Sequence, residues 1–180
     1  VSLVTNMNGL FQRKDRFNDD ISRWDVSNVS TMAKMFEYAK KFNQPLGKWD
    51  VSKVTDMNTM FGGATVFNQP LGAWDVSNVA DMSYMFYGGR AFNQPIGDWD
   101  VSKVKNMSSM FRQCVFNKPI GAWDVSNVSN MNSMFKCASK FNQNLRAWKV
   151  CKRADMNMEY MFYGCIIKEK YETTLFHKYK

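Results

Sequence analysis

Histidine is nearly absent: the 180 residues contain one, His177, close to the C-terminal end. General acid–base and nucleophilic sites usually recruit that side chain, and no Ser-His-Asp or Cys-His set can be assembled around a single tail copy. The chain is therefore not read as an enzyme. Cysteine is scarce as well. Cys114, Cys137, Cys151 and Cys165 all lie in the second half, and none shows the C-x-x-C spacing of a metal site. No run reaches the ~18 to 20 uninterrupted apolar residues that a bilayer-spanning helix requires, so no membrane span is expected. Acidic residues are the minority, 16 against 24 Lys and Arg, giving a formal charge of +8. The cations are spread along the chain, a pattern more typical of a solvated surface than of a nucleic-acid footprint.

Repetition is what the sequence has in abundance. The stretch FNQPLGKWDVSKVTDMNTMF, residues 42–61, returns as FNQPLGAWDVSNVADMSYMF from Phe67 and as FNQPIGDWDVSKVKNMSSMF from Phe92. Units begin at Val1, Val26, Val51, Val76, Val101, Val125 and Val150. Five of the first six are 25 residues long, and the unit from Val101 has lost one residue between Cys114 and Phe116. A strict short period signals an array in which each unit buries its apolar face against its neighbours. The W-D pair does not indicate a propeller, whose blades need roughly 40 to 45 residues.

Within a unit, Val29, Met32, Met35, Phe36 and Ala39 fall at i, i+3, i+6, i+7 and i+10, which predicts the apolar stripe of a three-turn helix near 28–38. Ser27 stands where an N-cap would. Trp49-Asp50-Val51 alternates as a very short strand does, and Asn43, Pro45 and Gly47 supply turn chemistry. The expected fold is thus α/β: a solenoid of about seven coils over residues 1–165, each with a short parallel strand and a helix. A C-terminal helical cap follows over 166–180, where IIKEKYETTLFHKYK leaves the repeat.

The aligned pattern FNQPLGxWDVSxVxxMxxMFxxA resembles the BspA-like leucine-rich repeat family, once catalogued as a mycoplasma domain of unknown function. The resemblance covers roughly 1–165 and weakens in the last unit, where W-D becomes Trp148-Lys149 and V-S becomes Val150-Cys151. It implies a leucine-rich-repeat-type solenoid used for binding. The usual role is adhesion, in surface proteins of bacteria and protists, and relatives occur in mycoplasmas and large DNA viruses.

Because every consensus position is copied into a column, the columns read first as architecture. The M-x-x-M pairs share a stripe with Phe36, Phe61 and Phe86, which favours core over soft-metal ligation. The six tryptophans alternate with valine and point inward. Asn18, Asn43, Asn68, Asn93, Asn117 and Asn142 suit a hydrogen-bonded ladder, and Cys114 and Cys165 occupy an alanine slot as small core residues. Asp25, Asp50, Asp75, Asp100 and Asp124 are expected to cap helix starts, with calcium between coils as the rival. No cofactor or metal is otherwise expected.

The candidate partner-binding residues are those that vary: Lys34 and Tyr84, with Thr59 and Ser109, on the expected helices, and the alternating stripe Lys53, Lys103 and Lys152. The expected function is non-enzymatic protein binding of the surface or adhesion type. The alternatives are a structural component of a virion or other assembly, and a binder of nucleic acid or another anionic surface. Location divides the same way, between the cell surface or secreted state that the resemblance implies and a virion or cytoplasm suggested by the cysteines and the lack of a visible signal segment.

Overall fold

In the computed structural model the described residues are 3–150 and 156–167. Among them there is no helix and no extended strand, only turns and a row of single parallel bridges. This overturns the α/β, leucine-rich-repeat-like class, the helix near 28–38 and the strand at Trp49-Asp50-Val51. Lys152, Cys151, His177 and all but the first two residues of the expected cap at 166–180 lie outside the described residues.

The bridges run Asn6, Thr31, Asp56, Asp81, Asn106, Asn130 and Asn157, one residue per unit and all parallel. Their spacing is 25 residues except for 24 between Asn106 and Asn130 and 27 between Asn130 and Asn157. The shortened unit and the lengthened last one are therefore absorbed in loops without breaking register.

Hydrogen bonding shows why the apolar stripe does not become a helix. The N–H groups of Met32, Lys34, Phe36 and Tyr38 donate to the carbonyls of Asp56, Asn58, Met60 and Gly62 in the next unit, at 3.0, 2.8, 2.8 and 2.7 Å. The N–H groups of Met35, Glu37 and Ala39 close back onto Met32, Lys34 and Phe36 at 3.2, 3.0 and 2.9 Å. Half of the donors make turns and half make the stack, so none is left for i to i−4 bonds. Consecutive turns need left-handed residues, and Lys34 and Tyr38 take φ of +58° and +56°. The same two positions recur as Thr59 and Gly63, Tyr84 and Gly88, Ser109 and Gln113, Ser133 and Cys137, and Tyr160 and Gly164. A run of turns three residues long sends Val29, Met32, Met35, Phe36 and Ala39 inward as well as a helix would, and all five are buried.

Inside, two phenylalanine columns run along the stack. Phe36, Phe61, Phe86, Phe111, Phe135 and Phe162 stack at 5.5 to 5.8 Å between centroids. The second column is Phe17, Phe42, Phe67, Phe92, Phe116 and Phe141, and each unit pairs one ring from each, as Phe36 and Phe42 at 4.0 Å. The buried methionines belong to the same core cluster as these rings and the valines. Trp49, Trp74, Trp99, Trp123 and Trp148 are buried, and each indole N–H donates to the carbonyl of Ile21, Leu46, Leu71, Ile96 or Ile120 in the preceding unit at 2.8 to 3.2 Å. Trp24, in the first unit, stays 41% exposed.

Candidate partner-binding surfaces

Most polar columns are consumed by the stack. Each Asn of the turn column gives its Oδ1 to the backbone N–H of the next unit's Asn, from Asn18 to Asn43 at 2.8 Å through Asn117 to Asn142 at 2.9 Å. Gln44, Gln69, Gln94 and Gln143 add a bond from Nε2 to the carbonyl of the Asn one unit back. This ladder continues the stack where the chain makes no bridges.

The Asp column is not helix capping, since no helix follows it. Asp50 Oδ1 accepts both the hydroxyl of Ser52, at 2.6 Å, and its backbone N–H, at 3.1 Å. The Ser52 hydroxyl, then its N–H, hold the Asp50 carboxyl below its ordinary value, outweighing the upward push of desolvation and the smaller one from Asp25. Asp75, Asp100 and Asp124 are lowered by Ser77, Ser102 and Ser126 in the same way. These Asx turns answer the repulsion between stacked carboxylates, about 0.8 kcal/mol for a pair 5 Å apart in water. Among the described residues no group of three or more His, Cys, Asp or Glu side chains could hold a metal ion.

Cys114 sits in the small-residue slot of the core, its Sγ 3.8 Å from the Phe92 carbonyl, and burial pushes its thiol up to about 12. Cys165, in the same slot, directs its thiol to the Phe141 carbonyl at 3.5 Å. Cys137 is an exposed thiol.

The lysine stripe is partly engaged. Lys53 Nζ donates to Asn28 Oδ1 at 2.6 Å and Lys103 Nζ to Asn78 Oδ1 at 2.7 Å, while Asn78 and Asn127 reach back to the carbonyls of Ser52 and Ser102 at 2.8 Å. The alternation therefore builds a ladder in which Lys53 and Lys103 are each steadied by an amide one unit away. Beside it Lys103, Lys105 and Ala80 line a concavity of about 670 Å³. Lys105, the charged member of a column that also holds Thr5, Ser30, Thr55, Ala80 and Ser129, was not among the expected binding residues.

Of the four variable positions expected on the surface, Lys34 and Tyr84 are exposed, Thr59 is half-buried and Ser109 is buried. They are left-handed turn residues and not helix-face residues. Tyr84 belongs to a constellation that the repeat consensus hides. The tetrapeptide YMFY, in which tyrosines flank the consensus M-F on both sides, occurs twice, at 84–87 and 160–163. In both copies the tyrosines meet edge to face, at 6.0 Å for Tyr84 with Tyr87 and 6.3 Å for Tyr160 with Tyr163. In both a cation from the adjoining unit lies over the rings: Arg112 is 5.7 Å from the Tyr87 centroid, and Lys136 is 4.8 and 5.2 Å from those of Tyr160 and Tyr163. Tyr84, Tyr160 and Tyr163 remain 39%, 51% and 55% exposed. The inter-unit bonds from Gly88 to Arg112, Gln113 to Lys136 and Cys137 to Tyr163 set these side chains in consecutive layers. Of this group only Tyr84 was expected; the duplicated YMFY was the signal that could have found the rest.

A stack of turn-built units with a repetitive interior and one non-repetitive aromatic–basic face is a repeat protein whose distinguishing chemistry lies on its surface. The chain belongs to the family described as "Mycoplasma protein of unknown function, DUF285", which matches residues 1–90 and 67–174 as two overlapping stretches. No curated protein and no solved structure matches it. No helix among the described residues is long and apolar enough to cross a membrane.

Proposed function

We propose that the chain is a non-enzymatic protein-binding module, and that the face carrying Tyr84, Tyr87, Tyr160 and Tyr163 is where a partner sits. The single observation behind this is that large aromatic side chains stay exposed on a scaffold whose other rings are almost all interior. Tyrosine and arginine dominate binding energy at protein interfaces because they bring area and a polar tip at small entropic cost. The turn ladder holds their backbone in place, so little ordering remains to be done on binding. Adhesion at a surface is the finer reading, and it agrees with the BspA-like character that the repeat resembles.

The test is a pull-down from the native source with the intact chain and with a Tyr84→Ala/Tyr160→Ala variant, read by mass spectrometry. A small set of proteins retained by the first and lost from the second is expected. No specific retention, or retention indifferent to both tyrosines, overturns the proposal.

A further inference from the structure

We infer that the aromatic–basic face takes an acidic, extended peptide segment of its partner, with Arg112 and Lys136 as the carboxylate-binding floor between two tyrosine rims. The inference rests on the protein-binding reading above and adds the chemistry of the partner.

The YMFY pairs lie three layers apart, about 14 Å at a rise of roughly 4.8 Å per layer, the span of about four extended residues. The two layers between them carry small residues at the tyrosine positions, Ser109 and Ser133, and cations at the next, Arg112 and Lys136. Both serines are buried, so no side chain of the Tyr84 column stands out between the two rims, and Arg112 and Lys136 beside them are half-buried. In these four layers the two columns that build the face hold no carboxylate; Glu159 stands in the column next to them, beside the far rim. A second observation comes from Arg112 itself: it lies half-buried beside the Tyr87 ring, and a partly desolvated guanidinium pairs with a carboxylate more strongly than a fully exposed one does.

A single-stranded nucleic acid is the other polyanion that aromatic and basic residues serve, but it needs free ring faces for its bases and a longer cationic track. Here cations already lie over Tyr87, Tyr160 and Tyr163, and the floor offers two charges. The observations favour the peptide.

The test is fluorescence anisotropy with the intact chain and three labelled probes: a peptide of alternating glutamate and leucine, its lysine counterpart, and oligothymidylate. Saturable binding of the acidic peptide alone is expected, weakened about tenfold or more by Arg112→Gln/Lys136→Gln. The charge-matched pair Arg23→Gln/Lys48→Gln should leave affinity within about twofold, since it removes the same charges elsewhere. Lys136→Gln alone, with an unchanged unfolding midpoint, guards against a folding defect at Arg112 and should still weaken binding. Equal losses from both charge pairs, indifference to Lys136→Gln, no binding of the acidic peptide, or tighter binding of oligothymidylate would each overturn the inference. A pull-down that retains partners regardless of Arg112 and Lys136 would also sink it while leaving the protein-binding reading in place.

Discussion

Two kinds of glycine in this chain separate two physical effects. At Gly97 and Gly121 a Cβ would stand 2.6 Å from the carbonyl oxygens of Pro119 and Asn144 in the next unit, so a side chain there must push two layers apart. Gly88 has φ of +65° but open space around its missing Cβ, the nearest atom being Gly63 Cα at 3.9 Å. Gly88→Ala should therefore cost about 1 kcal/mol, the left-handed term alone, and Gly97→Ala should cost more, about 2 kcal/mol or above. Denaturant titration of both decides the order. The Asp column makes a pH prediction. The carboxyls of Asp50, Asp75, Asp100 and Asp124 are held below their ordinary value of 3.8 in the folded chain, so their contribution is complete above that value and is lost as pH falls from it through the lowered folded value. The unfolding midpoint should drop on acidification below about pH 4. Replacing these four aspartates with asparagine should flatten that drop, because asparagine Oδ1 closes the same turn at Asn106 and Asn130. A midpoint indifferent to pH in the native chain would refute the assignment.

At the scale of the element, the structural unit is the run of turns at 31–39 and its equivalents. It has no regular secondary structure of its own and depends on the layer above for every second N–H. Far-UV circular dichroism of the folded chain should therefore lack the helical double minimum. A helical spectrum would contradict the fold. The interior is shared in the same way, since Phe86 contacts Phe61 and Phe111 in the neighbouring layers as well as Phe92 and Trp99 in its own. Phe86→Ala should cost about 3 to 5 kcal/mol, and a loss below 1 kcal/mol would show that the column relaxes around the gap. What was legible here was the inward stripe and the turn residues. The helix was misread because the spacing of Val29, Met32, Met35, Phe36 and Ala39 suits successive three-residue turns as well as a 3.6-residue period. Asn58-Thr59 and Gly62-Gly63 in the equivalent stretch are poor helix formers, and Thr59 and Gly63 fill left-handed positions, which could have pointed to turns.

For the whole molecule, stability accumulates layer by layer, as nearest-neighbour contacts imply. Excising residues 51–75 joins Asp50 to Val76 and preserves both the column order and the junction sequence W-D-V-S. The shortened chain should still unfold cooperatively, with a lower midpoint. Excising half a unit, which destroys register, should abolish folding, and a folded product from that second deletion would contradict the stack. The sequence by itself determined the period, the unit boundaries, the inward Phe, Trp, Val and Met, and the one-residue loss after Cys114, because each is a matter of spacing along the chain. The tertiary structure alone decided that the stripe is made of turns, since that choice depends on carbonyls 24 residues away being there to accept the N–H groups of Met32, Lys34 and Phe36. It alone decided, too, that Tyr87, Arg112, Lys136, Tyr160 and Tyr163 share a face with Tyr84. Apart from the two tyrosines within each YMFY, they are separated by whole units in sequence, and only the register of the stack sets them in successive layers.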